Sequence, residues 1–414
     1  MFVVVKDILK CRMCDSEKLQ LFLDLGNIPR VDRFLSQKEL SQTEQSFPLT
    51  VYLCESCGLS QLGFIVPASK LFNEEYAYES STTKNRRENY NQLAKDVCYD
   101  FKIKKKSLVV DIGSNVGVLL HCFKNLGMKT IGVDASSNIV KKANENGIET
   151  ILGFFNKEIV DKIINKHEKA SIITATNLFA HIQDYETFII DLKNLLETDG
   201  IFVFQVPHFL KLVKNVEYDT IYHEHISYFG LRPLMKFFEK FQMELFDVIE
   251  TDIDGGSIRC FVSYKGQFTK SSNIDKILMK EDNEEIYSIK RLKKFEKDVK
   301  QQKVNLKKML KQLKQDGKKI VGVGAPAKGI TLLNYCNIDK DVLEYLTEKS
   351  SLKIGKFCPG MHIPIVTDKK LLEDNPDYAI ILAWNFAEEI MGNLTEYKKS
   401  GGKFLIPIPT PKIV

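Results

Sequence analysis

Residues 107–117 read Ser107-Leu-Val-Val-Asp111-Ile-Gly113-Ser-Asn-Val-Gly117. A short β-branched run that ends in an acid and a glycine is a buried strand entering a tight turn, and the stretch 118–126 after it has helical spacing. Working outward, a second strand is expected over 130–133, ending at Asp134, with further buried-strand runs at 171–174 and 201–206 and helical spacing between them. Strands alternating with helices predict a doubly wound parallel sheet. Past that sheet, 244–250 and 257–264 are joined through Asp254-Gly-Gly256, which predicts an antiparallel pair at its edge.

The loop spacing Gly113-x-x-x-Gly117 departs from the Gly-x-Gly-x-x-Gly that hugs a dinucleotide pyrophosphate. A looser loop suits a smaller cofactor, and Asp134 at the tip of the second strand is placed to accept both hydroxyls of a ribose. These features favour S-adenosylmethionine over NAD, as does the antiparallel edge pair, which methyltransferase sheets carry and dehydrogenase sheets usually lack. The expected cofactor-binding set is Asp111, Gly113, Ser114, Asn115, Gly117, Asp134 and Asn177. The bland alternative is a glycine turn that only connects strand to helix.

A second α/β unit of about a hundred residues is expected toward the C-terminus. A strand begins near 319–323, Gly322-Val-Gly324-Ala-Pro-Ala-Lys328-Gly329 opens a helix, and strands follow over 377–383 and 403–406. Helix N-terminal amides and Lys328 suit a diphosphate, so Gly322, Gly324 and Lys328 are read as substrate-binding in preference to a second nicotinamide site. Asp341 is the acid expected at the neighbouring strand edge.

Between the two units, Ile289, Leu292, Phe295, Val299, Leu306, Leu310 and Leu313 recur at helical spacing. Residues 291–319 hold twelve Lys or Arg against three acids, so of the chain's net +5 a local +9 lies here and the remainder carries −4. A solvated connecting helix accounts for this better than a nucleic-acid surface does, since aromatics do not interleave with the lysines.

Nine cysteines, an odd number, argue against a disulfide framework. Cys11-Arg-Met-Cys14 and Cys54-Glu-Ser-Cys57 are two knuckles whose four thiolates complete the shell of a structural zinc ion, with redox dithiols the alternative. No run of eighteen apolar residues occurs, so no membrane partner is expected and the expected compartment is cytoplasmic.

Tyr222-His-Glu-His225 follows the 201–206 strand by one loop and helix, and His181 follows the 171–174 strand, so both sit at the carboxyl edge of the sheet where substrates lie. Two imidazoles and a carboxylate suit proton transfer, because the unperturbed histidine pKa lies near 6.5. Metal ligation by His181, His223, Glu224 and His225, and plain structural histidines, remain open alternatives.

Taken together, several segments resemble those of the sugar C-methyltransferase family, which uses S-adenosylmethionine on nucleotide-linked keto-deoxysugars. They are the four-cysteine domain, Glu75-Tyr76-Ala-Tyr78-Glu-Ser80-Ser81, the 111–117 loop, Tyr222-His-Glu-His-Ile-Ser-Tyr228, the 322–329 loop, and Gly355-Lys-Phe-Cys-Pro359 through Pro364. The resemblance implies a small zinc domain (1–70), a methyltransferase domain (71–266), a helical connector (267–316) and a Rossmann-like domain (317–414). It also implies a cleft lined by Tyr76, His181, Tyr222, Glu224 and His225, with His225 the favoured base, and Tyr78 and Ser80 on the substrate. Pro29-Arg30-Val31-Asp32 departs from the Pro-Leu-Ala-Asn usual there. The implied substrate is a nucleotide-linked keto sugar, methylated at C3 in preference to C5, with no nucleic acid bound. Methylation of oxygen or nitrogen on such a sugar or on a small metabolite, and methylation of RNA by a zinc-ribbon enzyme, are the rival readings.

Overall fold

The computed structural model describes residues 6–7, 10–72 and 84–414. Tyr76, Tyr78 and Ser80 lie outside the described residues. The strand Leu108–Ile112 is buried at all five positions and pairs in parallel with Lys129–Asp134 on one side and Ala170–Thr176 on the other. Side chains alternate across it. Leu108, Val110 and Ile112 enter the core formed with helices Lys157–Lys166 and Tyr185–Leu195, while Val109 enters the opposite core with Lys84–Asp100 and Val118–Asn125. A strand covered by helices on both faces must be apolar throughout, which is why 108–112 reads as an unbroken run.

The sheet around it has seven strands in the order Met243–Thr251, Ser257–Tyr264, Leu196–Pro207, Ala170–Thr176, Leu108–Ile112, Lys129–Asp134, Thr150–Leu152. The two ladders made by Ser257–Tyr264 are antiparallel and the rest are parallel, as expected of the edge pair. The C-terminal sheet has six strands in the order Ile365–Thr367, Leu346–Glu348, Ile320–Val323, Tyr378–Ile381, Lys403–Ile406, Lys412–Ile413, parallel except at the last.

A third sheet holds Leu19–Pro29, Ser46–Cys54 and Ser60–Leu62, and its fourth strand is Ser227–Tyr228, two residues beyond His225. The segment carrying the histidines is therefore stitched into the N-terminal sheet.

The basic helix, Ile289–Gln315, is amphipathic, with its lysines on the wet face and its apolar residues turned inward. Leu292, Phe295, Val299, Leu306, Leu310 and Leu313 are buried in one core with Phe22, Leu23 and Leu49 of the N-terminal sheet and Ile320, Leu332 and Leu346 of the C-terminal unit. Each fully buried side chain of this kind contributes about 1.5–3 kcal/mol. An apolar stripe this long needs a partner on its own face, whereas its lysines satisfy only the other. The helix Ser272–Asn283 packs Ile274 and Ile277 into the methyltransferase core.

Candidate active site and metal centre

A cavity of about 650 Å³ runs from Gly113 and Asp134 past His181 and His225 to Gly324 and Lys328. Its cofactor end is built by a left-handed turn of the backbone. Gly113, Asn115 and Gly117 all have positive φ (+71°, +49°, +81°), which turns the chain sharply between strand and helix. The Asp134 carboxylate accepts from Asn115 N at 3.0 Å and Ser136 N at 2.9 Å, pinning the loop to the second strand. Gly132 lets the loop lie flat, because a Cβ there would stand 2.4 Å from Ser114 Oγ.

Of the expected cofactor set, Gly113, Asn115, Asp134 and Asn177 line the cavity, while Asp111, Ser114 and Gly117 support it from behind. Asp111 accepts from Thr174 Oγ1 at 2.7 Å, and burial pushes its carboxyl up to about 7. Asn177 donates to Asp254 at 2.9 Å, and its Oδ1, like Ser136 Oγ, is buried without a partner in the protein. These orphaned acceptors, beside an acid at the strand tip, fit the ribose and amino-acid groups of S-adenosylmethionine. Ser136, Phe154 and Phe155 also line this end. Sequence reading missed the two phenylalanines because the strand before them, Thr150–Leu152, is only three residues long.

Both histidines of interest face the same space, with ring centroids 5.1 Å apart. The backbone holds them together, since Ile226 N donates to Ala180 O at 2.9 Å. His225 Nδ1 donates to the Thr220 carbonyl at 2.8 Å. A carbonyl only accepts, so the proton belongs on Nδ1 and the neutral ring has a bare Nε2, to which the Tyr222 hydroxyl donates at 2.8 Å. Burial lowers the His225 pKa to about 4, against the pull of the Thr220 carbonyl, so the ring is neutral at physiological pH. Burial, reinforced by the neighbouring His225, also holds His181 well below its usual range.

His223 turns the other way, because residues 222–225 form a turn closed by His225 N donating to Tyr222 O at 2.9 Å. It sits against Phe47 and Phe64 with Nε2 donating to Pro48 O at 3.2 Å, so it does not join its neighbours around a common ion. Glu224 lines the cleft, yet its partner is the Asp32 carboxyl rather than a histidine. Burial first, then Asp32, push the Glu224 carboxyl well above its ordinary value, while Lys353 opposes the shift. Asp32, the residue that departs from the usual pattern, thus reaches the site.

The C-terminal loop needs two corrections. Gly322 lies within the sheet, where a Cβ would meet Leu346 at 2.4 Å, and does not reach the cavity. Its N–H is taken by Tyr345 O, and those of Gly324 and Ala325 by Thr347 O and Glu348 Oε2, so these amides are spent within the protein. The acid at the strand tip is Glu348, not Asp341, which is exposed in a turn. Lys328 does line the cleft, with Nζ 3.4 Å from Asp254 O and 4.8 Å from the Trp384 ring centroid. Asp254 is fixed by Arg86 at 2.5 Å; although burial raises its carboxyl, the charges of Arg86 and Lys328 bring it below the ordinary value.

The Sγ atoms of Cys11, Cys14, Cys54 and Cys57 all lie within 4.8 Å of one another, with 3.5 Å between Cys11 and Cys57 and 3.6 Å between Cys14 and Cys54. Tetrahedral zinc with bonds near 2.3 Å sets sulfurs about 3.8 Å apart, so the donors fit the ion, and all four positions are filled by protein.

A doubly wound sheet with an antiparallel edge, a non-dinucleotide glycine loop and an acid at the second strand tip define an S-adenosylmethionine-dependent methyltransferase that also carries a zinc site. Three family models tile the chain: a zinc binding domain over residues 11–72, a methyltransferase domain over 84–248 and a C-methyltransferase C-terminal domain over 252–409. The C-methyltransferase NovU of Streptomyces niveus is 32% identical over 413 residues, covering 99% of this chain and 98% of its own. The chain belongs to this C-methyltransferase family. A ubiquinone biosynthesis O-methyltransferase of Rhodopseudomonas palustris is 26% identical over 113 residues, 26% of this chain and 45% of its own. Among solved structures, the magnesium protoporphyrin IX methyltransferase of Synechocystis matches with a TM-score of 0.35 and 12% identity, over 45% of this chain and 90% of that one. Among the described residues no helix is long and apolar enough to cross a membrane.

Proposed function

We propose that the enzyme methylates a ring carbon next to the ketone of a nucleotide-linked keto sugar, C3 in preference to C5, with His225 as the base. The observation that carries this reading is the geometry of His225 at the cleft, with Nδ1–H fixed on Thr220 O and an unprotonated Nε2 that accepts the Tyr222 hydroxyl. A carbon–hydrogen bond beside a ketone loses its proton to such a nitrogen only if the enolate oxygen is stabilised as charge develops. Methyl transfer to oxygen or nitrogen makes a much smaller demand for a base.

S-adenosylmethionine supplies the electrophilic methyl group when bound. Substrate draws the Tyr222 hydroxyl from His225 Nε2 to the keto oxygen, which frees the Nε2 lone pair to take the α proton; that contact, or one from a neutral His181, is of the oxyanion type and worth about 3–4 kcal/mol. Glu224, paired with Asp32, faces the ring substituents. Lys328 attracts the diphosphate as a point charge, and that remote binding energy fixes the reacting carbon beside the methyl.

The test is His225→Gln, which removes the base and keeps a comparable shape. S-adenosylmethionine affinity is expected to be unchanged by calorimetry, while methyl transfer and exchange of the sugar α proton with deuterated water both fall by about 10²–10⁴-fold. Preserved exchange would remove His225 from the role. A wild-type enzyme that methylates a nucleotide sugar without any α exchange would point to oxygen or nitrogen as acceptor.

A further inference from the structure

The zinc knuckle touches the catalytic cleft through one side chain. Arg12 stands between the ligands Cys11 and Cys14, and its Nη2 donates to Ile182 O at 2.5 Å and to Gln183 O at 2.9 Å, the two carbonyls directly after His181. Its guanidinium lies 5.5 Å from the centroid of the Tyr185 ring, which begins the next helix. Gln183 answers by donating from Nε2 to Val66 O of the N-terminal unit at 3.0 Å.

The same unit holds the His225 side. Leu62 N donates to Ile226 O at 3.0 Å, and Gln61 pairs with Ser227 in the sheet. The fully buried Gln61 side chain accepts from Arg12 N at 2.9 Å and donates to Lys10 O at 3.1 Å, so the knuckle and the strand after His225 share one residue. The helix Leu231–Glu239 and the residue following it also grip the knuckles, with Lys236 donating to Ser56 O and Lys240 to Met13 O.

We propose that Arg12 is a positioning residue: the zinc-held knuckle aims its guanidinium at the 182–183 carbonyls and so sets where His181 stands relative to His225. The role in turnover rests on the reading of His181 as a catalytic group; the structural coupling does not. The knuckles' own turns, closed by Asp15 N on Cys11 O and Gly58 N on Cys54 O, fix the direction of Arg12 together with the ion that the four thiolates would hold. Both carbonyls are reached from the one nitrogen Nη2 while the planar group lies by the Tyr185 ring, a combination that a lysine ammonium reproduces only in part.

The experiment uses the full-length zinc-loaded protein, with S-adenosylmethionine and a thymidine diphosphate 4-keto-6-deoxyhexose as probes. Arg12→Ala with one zinc per chain by elemental analysis is expected to keep S-adenosylmethionine affinity within about twofold and lose about 100-fold in kcat, the scale of an ångström misplacement. Its KM changes little, Arg12→Lys recovers part of kcat, and the His181 resonances shift in ¹⁵N imidazole correlation spectra. An unshifted His181 signal in zinc-loaded Arg12→Ala overturns the proposal. If Arg12→Ala loses zinc, Arg12→Gln keeps a polar side chain at the knuckle and gives up the charge and the reach to both carbonyls, and with zinc retained it is expected to move the same resonances with about a tenfold loss of kcat; unmoved resonances there also overturn the proposal. His181→Ala separates the two readings, because full activity in that variant refutes a catalytic His181 while leaving the spectroscopic coupling to Arg12 intact.

Discussion

Two strand, glycine loop, helix turns line one cleft, at 113–117 and at 324–329. Each turns on a glycine of positive φ, +71° at Gly113 and +82° at Gly324, and in each the acid that ends the neighbouring strand accepts an N–H from the loop. Asp134 takes Asn115 N, and Glu348 takes Ala325 N. The topology is shared and the charge is opposite. Asp111 and Asp134 surround the first loop, whereas Lys328, Lys349 and Lys353 gather at the second, with Glu348 among them. A sulfonium cofactor suits the acidic end and a diphosphate suits the basic one, so on the proposed function one backbone device would serve two ligands of opposite sign.

The comparison breaks most visibly at Asp134. Asp134→Ala leaves the Asn115 and Ser136 amides without their acceptor, and each buried unsatisfied donor costs about 1–3 kcal/mol. S-adenosylmethionine affinity should fall roughly 10–100-fold by calorimetry, with KM for the nucleotide sugar little changed. An unaltered cofactor affinity would remove Asp134 from the binding set.

Lys328→Ala is the mirror experiment at the basic end. Loss of one charge-assisted contact to phosphate, about 1.5 kcal/mol, is expected to raise KM for the nucleotide sugar roughly tenfold in steady-state assays. Cofactor affinity should hold. A variant that loses cofactor affinity instead would mean that Lys328 acts mainly by fixing Asp254, and through it Asn177.

What the sequence made legible followed range of interaction. The 107–117 turn, the edge pair and the two cysteine knuckles are local patterns, and the structure carries each of them. The divergence of His223 from His225 is local as well, because residues 222–225 form a turn closed by His225 N donating to Tyr222 O. Long-range pairings were not readable. Glu224 meets Asp32 of the N-terminal unit, Arg12 meets the 182–183 carbonyls, and the lysine-rich helix turns its leucines toward both the N-terminal and the C-terminal sheet. Glu348 escaped because its strand is three residues long, too short to register as a strand, and Asp341 in the preceding turn took its place.

Glu348 carries the smallest and sharpest prediction, since it decides how far the likeness between the loops extends. By topology it occupies the position of Asp134 and would read a ribose. Its lone pairs are more heavily committed, however: Oε2 accepts Ala325 N, Oε1 accepts Lys349 N and Ser350 N, and Lys353 Nζ stands 3.9 Å away. Little capacity is left for two hydroxyls, and its remaining influence on an incoming diphosphate is charge repulsion. Glu348→Gln keeps an acceptor for the loop and removes that charge. KM for the nucleotide sugar is therefore expected to drop by about two- to threefold, roughly 0.5 kcal/mol in a solvent-connected cleft, and the change should shrink as salt is added. A rise in KM would instead make Glu348 a ribose ligand, and the two loops would then be alike in chemistry as well as in fold.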